Sequence, residues 1–166
     1  MKKAVRARQF MYTQDIAHLP FKQENLKEIL ENSNAEQWAY ILHDKDVNEK
    51  GEPIRPHFHV ILKFKDAKTI SRIAKLFNDQ QQYVEVWRNT INNGYSYLIH
   101  ETTNAQNKHH YDPSEVVASF DFVTRIKQIR EKVNKPSRHD IENFIDDYSN
   151  EQLTKEELQE NRLPSL

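Results

Sequence analysis

The sequence predicts an α+β domain in which one antiparallel sheet carries helices packed on one side. Three observations lead to this prediction. Apolar runs of strand length alternate with segments whose apolar residues recur at helical spacing. The two clearest strand-like runs follow each other directly, joined only by a polar loop, as neighbouring antiparallel strands are. A chain of 166 residues is long enough for one core and an appendage, but too short for two full-sized domains.

The first elements are a strand, a helix and a second strand. Residues 8–13 are rich in strand-forming types. Pro20 suits the first turn of a helix, and the apolar stripe of that helix is Leu26, Ile29 and Leu30. Residues 38–43 are mostly apolar, which predicts a buried strand, and a polar connection over 44–56 separates it from the next strand.

The third strand shows which residues face the core. Successive side chains of a strand point to opposite faces, so every second residue shares a face. The even-numbered set is apolar and is expected in the core: Phe58, Val60, Leu62 and Phe64. The odd-numbered set faces the other way: His57, His59, Ile61 and Lys63. Two histidines therefore share the face that the core does not use.

The remaining elements complete a β-α-β-β-α-β-α order. Thr69 can cap a helix with Ile70, Ile73, Ala74 and Phe77 at helical spacing. A short strand is expected over 83–87, a helix over 92–101 weakened by Gly94, a fifth strand over 116–122 and a helix over 123–133. This order predicts a ferredoxin-like sheet.

The charge balance and the composition of the chain change near residue 134. Residues 1–135 carry 21 Lys+Arg against 17 Asp+Glu, and residues 136–166 carry 3 against 8. We therefore expect a mildly basic main domain over 1–133, which permits a nucleic-acid partner, and an acidic helical segment over 134–166. A capping box at Thr154 and Glu157 supports helix in that segment.

Composition indicates where the protein is located and which residue types could hold a metal. No stretch approaches the roughly 20 apolar residues that span a bilayer, and the first residues lack the apolar core of a secretory signal. We expect a soluble, cytoplasmic protein with no membrane partner. The chain contains no cysteine, so any metal must be held by histidine and carboxylate.

The His57-Phe58-His59 motif is the central chemical signal. Its two histidines share one strand face about 7 Å apart at Cα, close enough for both imidazoles to reach one cation. By itself the pair also fits two half-exposed surface histidines. His43 and Asp46 follow the strand expected to lie beside it, so they become candidate third and fourth ligands. Nitrogen and oxygen ligation without thiolate favours Mn²⁺, with Mg²⁺ or Zn²⁺ as the alternatives.

The segment 92–101 contains two tyrosines with different surroundings. Residues two apart on a helix point about 200° apart, so Tyr95 and Tyr97 cannot serve the same site. Tyr95 shares its face with apolar residues and is expected in the core, whereas Tyr97 shares its face with Asn93, His100 and Glu101. The facing alone also fits an ordinary surface tyrosine at position 97.

The order of these motifs resembles the HUH endonucleases, and among them the Rep proteins that initiate rolling-circle replication of small plasmids in Gram-positive bacteria. The resemblance covers roughly residues 5–125. It is carried by an aromatic first strand and by His-Asp-Lys-Asp at 43–46, Pro-His-Phe-His-Val at 56–60, Tyr-Ser-Tyr-Leu-Ile-His-Glu at 95–101 and Lys-His-His-Tyr-Asp at 108–112.

The resemblance implies a ferredoxin-like nuclease domain with a divalent metal and a tyrosine nucleophile borne on a helix. Tyr97 matches the nucleophile, and the implied metal ligands are His43, Asp46, His57 and His59. The expected reaction nicks single-stranded plasmid origin DNA, leaves a 5′-phosphotyrosine and a 3′-OH, and can be reversed to rejoin the strand. The 134–166 segment looks like the start of an oligomerisation module, which implies a homo-oligomer.

Contacts to single-stranded and duplex origin DNA are expected from basic and aromatic side chains. The candidate phosphate contacts are Arg55, Lys63, Lys68, Arg72, Arg88 and Lys108. Trp87, Tyr83 and Tyr111 are candidates for stacking on unpaired bases, with core packing the alternative for Tyr83. A solvated charged face is the competing interpretation for each cation.

Three other interpretations remain open. A relaxase or a viral Rep would use the same chemistry. A phosphodiesterase that uses activated water would need the ligands without the tyrosine, although the paired His-x-Thr/Ser motifs of one such superfamily are absent. A non-catalytic DNA-binding regulator would hold a structural metal with four protein ligands and would not need Tyr97.

Overall fold

The computed structural model describes residues 4–134, and its centre is a five-stranded antiparallel sheet. The strands are β1 (Arg6–Asp15), β2 (Gln37–His43), β3 (His57–Thr69), β4 (Val84–Val86) and β5 (Val117–Ala118). The helices are α1 (Leu26–Glu31), α2 (Ile70–Leu76), α3 (Ile91–Leu98) and α4 (Phe122–Asn134). Within these residues, no helix is long and apolar enough to cross a membrane.

The sheet confirms the predicted α+β, ferredoxin-like fold. Its spatial order is β4-β1-β3-β2-β5, and each neighbouring pair is antiparallel. The first four strands and two helices follow the β-α-β-β-α-β order of ferredoxin-like domains, and β5 adds an edge beside β2. The long strand β3 lies at the centre, between β1 and β2, so residues on it are supported from both sides.

Helices cover both faces of the sheet, and this corrects the expectation that they lie on one side. The even-numbered residues of β3 pack with Leu26 and Leu30 of α1, with Ile73 of α2 and with Phe77, which directly follows α2, in one buried cluster. Helix α3 lies on the other face, where its residues meet the odd-numbered residues of β3. His59 and Ile61 are consequently buried as well.

Several element bounds differ from the predicted ones for local reasons. A 3₁₀ turn over Gln23–Asn25 precedes α1, so the helix begins at Leu26 rather than near Pro20. Strand β5 is only two residues long, and Phe122, predicted at its end, instead begins α4. Thr69 does cap α2, its side chain accepting a hydrogen bond from the backbone N–H of Arg72.

The chain divides into two compact units, residues 1–123 and 124–166. The first unit contains the sheet, α1, α2 and α3. The described part of the second unit is α4 from residue 124 onward, in which Ile126 is buried and Ile129 half-buried, as their spacing predicts. The helical segment predicted over 134–166 lies almost entirely outside the described residues.

Candidate active site

Four predicted ligands meet where β2 and β3 adjoin. Strand β2 ends at His43, directly opposite His57 at the start of β3, and Asp46 follows in the connecting loop. The loop is closed at Asp46, whose carbonyl accepts a 2.9 Å hydrogen bond from the N–H of Ile54. The ring centroids of His43 and His59 are 4.5 Å apart, and those of His57 and His59 are 4.9 Å apart.

Hydrogen bonds to backbone carbonyls fix which nitrogen carries the proton in two of the rings. Nε2 of His43 lies 2.7 Å from the carbonyl oxygen of Leu98, and Nδ1 of His57 lies 2.8 Å from that of Arg55. A carbonyl oxygen only accepts, so both of these nitrogens donate. Nδ1 of His43 and Nε2 of His57 are therefore left with lone pairs, as metal ligands are.

Both lone pairs point toward one carboxylate oxygen. Oδ2 of Asp46 lies 3.3 Å from Nδ1 of His43 and 3.5 Å from Nε2 of His57. The contact with His43 is close but is not a hydrogen bond, and no group among residues 4–134 makes one with this buried nitrogen. Two lone pairs and a carboxylate around one point repel each other unless a cation lies between them. The donor set thus fits a divalent metal.

The electrostatics keep the imidazoles of His43 and His59 neutral. Burial, opposed in part by the carbonyl of Leu98 and the carboxylate of Asp46, lowers the pKa of His43 to about 4. Burial and the neighbouring His43 and His57 hold the pKa of His59 well below its usual range. Neutral imidazole is the form that binds metal, so the site needs no deprotonation of these rings near neutral pH.

Side chains that hold the ligands surround the cluster. The hydroxyl of Tyr111 donates to Oδ1 of Asp46 at 2.6 Å and accepts from the N–H of Lys45 at 3.0 Å. Its ring stacks on His43, with centroids 4.5 Å apart and planes 6° from parallel. Thr13, paired with His59 across β1 and β3, places its hydroxyl 3.2 Å from Nδ1 of His59.

Tyr111 was expected to stack on DNA bases, and that expectation is wrong. The side chain is only 2% exposed, its ring contacts His43 and His109, and its hydroxyl bonds to Asp46. A buried ring that already contacts two histidines has no surface for a nucleobase. The segment Lys-His-His-Tyr at 108–111 shows no apolar periodicity, so the sequence did not predict that Tyr111 is buried.

His100 joins the cluster through an unusual helix end. The N–H of His100 bonds to the carbonyl of Tyr97 and the N–H of Glu101 to that of Ser96, a Schellman arrangement that terminates α3. His100 occupies the position where glycine is usual, with φ of +59°. This ends the helix three residues before the predicted bound of 101.

The conformation turns the His100 ring inward. Its centroid lies 4.4 Å from that of His43, and its Nδ1 donates to the carbonyl of His109 at 2.7 Å. Burial lowers the pKa of His100. His100 also forms an alternative ligand group with His43 and Asp46. His100 is therefore buried inside the cluster, in a backbone conformation that non-glycine residues rarely adopt.

The two tyrosines of α3 differ in the way that their helical facing predicts. Tyr95 is fully buried, and its hydroxyl donates to Oε1 of Gln37 at 2.9 Å. Tyr97 is half-buried, and its ring lies edge-on to His59 with centroids 5.5 Å apart. Burial and the carboxylates of Glu85 and Asp46 raise the pKa of Tyr97, so its hydroxyl is protonated near neutral pH.

Gly94 lets α3 approach the sheet closely enough for Tyr97 to reach the histidines. A Cβ at this position would overlap the Cδ1 of Ile61 and would lie 3.0 Å from Nε1 of Trp87. The glycine that weakens the helix on propensity is therefore required by packing. The sequence shows the glycine but not the reason for it.

Two of the predicted DNA-contacting cations border a cleft beside Tyr97. This cleft, about 610 Å³, is lined by Arg88 and Lys108 together with Tyr97 and Trp87. Nζ of Lys108 lies 5.7 Å from the centroid of the Tyr97 ring. Both cations are exposed, as phosphate contacts would have to be.

The other predicted cations lie elsewhere. Arg55 is exposed and lies two residues before His57, the first residue of β3. Lys63 is half-buried on β3, paired with Gln9 and Gln37, and Lys68 and Arg72 lie around the start of α2. None of Lys63, Lys68 and Arg72 lines the cleft.

Comparisons with known proteins agree on one kind of protein. The family described as "Plasmid replication protein, origin binding domain" matches residues 2–123, which contain every residue of the candidate site. A protein named "Replication protein" from Onion yellows phytoplasma (strain OY-M) is 35% identical over 104 residues. That alignment covers 56% of this chain and 27% of the relative, so the chain corresponds to about a quarter of the relative's length.

Proposed function

Because the chain belongs to the plasmid replication protein family, whose origin-binding domain it matches, we propose that it initiates rolling-circle replication by nicking and rejoining origin DNA through Tyr97. One observation carries the proposal. His43, His57, His59 and Asp46 meet around an unbonded lone pair on His43, and the ring of His59 contacts the half-buried Tyr97. Binding DNA alone requires no such arrangement.

The ligands in this proposal are Nδ1 of His43, Oδ2 of Asp46, Nε2 of His57 and Nε2 of His59. The first three atoms already face one another, and Thr13 lies against Nδ1 of His59, leaving Nε2 of that ring for the metal. We propose Mn²⁺ as the ion, with Mg²⁺ as the alternative. When bound, it would draw charge from an oxygen of the scissile phosphate and offset the Asp46 carboxylate.

Tyr97 supplies the nucleophile. Its phenol oxygen attacks the phosphorus, the bond from phosphorus to the 3′ oxygen breaks, and that oxygen takes up a proton to become a 3′-OH. The 5′ phosphate stays esterified to Tyr97. Attack by a 3′-OH on this ester reverses the step, which rejoins the strand and restores the tyrosine. The energy of the broken phosphodiester is conserved in the new one.

The phenol proton must leave before or during attack, since the pKa of Tyr97 is raised. We propose His100 as the acceptor. Its ring is neutral because burial lowers its pKa, its Nδ1–H is committed to the carbonyl of His109, and its centroid lies 5.8 Å from that of Tyr97. The opposite nitrogen is then the basic one.

We extend the proposal, on the resemblance of the motif order, to the HUH endonucleases and to a plasmid of a Gram-positive host. In this proposal residues 1–133 are the nuclease and origin-binding domain, which acts on single-stranded and duplex origin DNA. Residues 134–166 would begin a module through which the full protein forms a homo-oligomer. The segment is acidic whereas the main domain is mildly basic, and this difference in composition supports a separate module.

A second candidate is an origin-binding regulator that holds a metal for stability and cleaves nothing. The description of the matching family favours it, because that description names binding and not cleavage. In this case all four protein ligands would saturate a structural ion, and the Tyr97 hydroxyl would be dispensable.

Covalent capture decides between the two. The protein is incubated with a labelled pool of single-stranded DNA of random sequence and Mn²⁺, and then denatured in detergent and separated by electrophoresis. We expect a labelled adduct with the wild type and with Tyr95→Phe, and none with Tyr97→Phe or with chelator. An adduct on Tyr97→Phe would refute the nucleophile. Retention of DNA without any adduct would favour the regulator.

A further inference from the structure

The cleft beside Tyr97 lies outside the metal ligand set, yet it opens on the proposed nucleophile. It lies between α3, β4 and the loop after α3, and its volume of about 610 Å³ falls within the roughly 300–1,000 Å³ of ligand sites. Tyr97 contributes to its wall, while none of the clustered histidines does. Anything held there lies next to the reacting phosphate in the proposed function.

The wall of the cleft offers each type of contact that a nucleotide makes. Apolar side chains come from Ile70, Val84 and Val86. Hydrogen-bonding side chains that can meet the edge of a base come from Asn89, Asn93, Thr102 and Asn104. Arg88 and Lys108 supply positive charge. This combination of aromatic, amide and cationic groups is typical of single-stranded nucleic-acid sites.

Trp87 provides a rigid aromatic surface. Its indole Nε1–H donates to the carbonyl of Thr90 at 3.0 Å, and its backbone N–H donates to the carbonyl of Gln9 at 2.9 Å. The Gln9 side chain in turn donates to the carbonyl of Trp87 at 3.3 Å. The ring is thus fixed, yet it remains half-exposed. A ring held in place loses little conformational entropy when a base stacks on it.

Charge distinguishes this cleft from its neighbour. A second depression of about 410 Å³ lies on the β1–β4 side. It is lined by the carboxylates of Asp15 and Glu85 and also by His18. Glu85 also borders the first cleft, but there Arg88 and Lys108 outnumber it. A phosphodiester backbone is repelled by the acidic depression and attracted by the cationic cleft.

From these contacts we infer that the cleft binds one unpaired nucleotide of the DNA strand beside the scissile phosphate, its base stacked on Trp87 and its phosphates met by Arg88 and Lys108. The inference rests on the proposed function, because that function places a DNA strand at Tyr97. An unpaired nucleotide is required because the faces of a paired base are covered by its neighbours in the duplex.

Tryptophan fluorescence offers a direct test, since the chain has only two tryptophans and Trp38 is buried in the core. The whole protein is titrated with a 12-nucleotide oligothymidylate in the presence of chelator, so that no covalent chemistry contributes. Binding should quench the fluorescence. An abasic strand of equal length and charge should bind more weakly and leave the emission unchanged, and a 12-base-pair duplex should not quench it either.

Variants separate stacking from charge. With affinities measured by the fluorescence anisotropy of dye-labelled strands, because loss of Trp87 removes the quenching signal, Trp87→Ala should weaken oligothymidylate binding by at least roughly fivefold, with little change for the abasic strand, whereas Trp87→Phe should retain most of the affinity. Replacing Arg88 or Lys108 by alanine should weaken both strands and flatten the salt dependence. Gln82→Ala, in the acidic depression, is the matched control and should change neither.

Two results would overturn the inference. One is an equal loss for thymidylate and abasic strands in Trp87→Ala, which would mean that the ring only supports the fold. The other is unchanged binding of thymidylate by Trp87→Ala. Neither outcome depends on adduct formation. If the protein formed no covalent adduct but still bound DNA in a base-dependent way, the nicking proposal would be refuted and the stacking site would be retained.

Discussion

Nδ1 of His43 lies 3.3 Å from Oδ2 of Asp46, and the two atoms share no hydrogen bond. The proton of His43 is on the opposite nitrogen, held there by the carbonyl of Leu98 at 2.7 Å. A buried lone pair therefore faces a carboxylate. The arrangement is unfavourable for the metal-free fold, and a bound cation would make it favourable.

Asp46→Asn should consequently act in opposite directions with and without metal. An amide at position 46 can donate to the lone pair of His43, so the metal-free variant should unfold at an equal or higher urea concentration than the wild type. Mn²⁺ at about 100 times its Kd should stabilise the wild type by about 2.7 kcal/mol and the variant far less. Urea titrations followed by circular dichroism measure both effects.

Asp44→Asn is the matched control, because Asp44 is exposed two residues away and belongs to neither candidate ligand group. It should leave the Mn²⁺ stabilisation intact. Equal stabilisation of the wild type and Asp46→Asn by Mn²⁺ would mean that Asp46 is not a ligand.

Acid should destabilise the metal-free protein between about pH 6.5 and pH 4. Burial lowers the pKa of His43 to about 4 and also lowers those of His59 and His100, so the unfolded chain takes up protons first as the pH falls. The stability contribution is complete above the unfolded value of about 6.5 and disappears as the pH falls toward the folded values. His43 alone should contribute on the order of 3 kcal/mol.

Urea midpoints measured across this range test the acid effect, with His18→Gln as the control at an exposed histidine. His59→Gln should flatten the profile, and His18→Gln should not. A stability that is constant from pH 7 to pH 4 would contradict the buried, neutral imidazoles.

Local patterns predicted the strand residues of the site well. The alternation along β3 placed His57 and His59 on one face, and helical facing separated Tyr95 from Tyr97. Both patterns depend only on the geometry of a single element, which sequence shows directly. The β-α-β-β-α-β order likewise followed from the spacing of apolar runs, and the spatial order of the sheet confirms it.

Contacts made by the segment after α3 could not be predicted in the same way. Tyr111 reaches Asp46 across 65 residues, and the path depends on the left-handed conformation of His100 at the helix end. Apolar periodicity does not reveal which non-glycine residue will adopt a left-handed conformation at a helix end. The side of the sheet on which α3 lies was also missed, since a short helix with apolar residues on one face fits either side.

Tyr111→Phe should weaken metal binding by roughly 10-fold or more while the ring stacking on His43 remains. The reason is that Asp46 loses the 2.6 Å hydrogen bond that orients its carboxylate. Unfolding free energy should fall by about 1–3 kcal/mol, as for other hydrogen bonds to a charged partner. Isothermal calorimetry with Mn²⁺ gives the affinity.

Tyr12→Phe provides the comparison, because the Tyr12 hydroxyl donates to the Asp79 carboxylate in the core on the other face of the sheet. It should lose similar stability yet bind Mn²⁺ as the wild type does. If both variants bound Mn²⁺ equally well, Tyr111 would have only a structural role.

Gly94→Ala should destabilise the protein, although alanine in an unhindered helix is favoured over glycine by about 1 kcal/mol. The new Cβ would overlap Cδ1 of Ile61 and crowd the indole of Trp87, and overpacking of this kind costs about 1–3 kcal/mol. Ile61→Val removes the Cδ1 atom and should by itself cost about 0.5–1.5 kcal/mol. The two substitutions should therefore compensate each other when combined.

The double variant, compared with the two single variants by urea unfolding, should be more stable than additivity predicts by about 1 kcal/mol. Residual crowding by the rigid Trp87 ring, 3.0 Å from the new Cβ, limits the recovery. Strict additivity would mean that Gly94 does not set the approach of α3 to β3. In that case the position of Tyr97 beside His59 would have to be explained by other contacts of the helix, such as the Tyr95 hydrogen bond to Gln37.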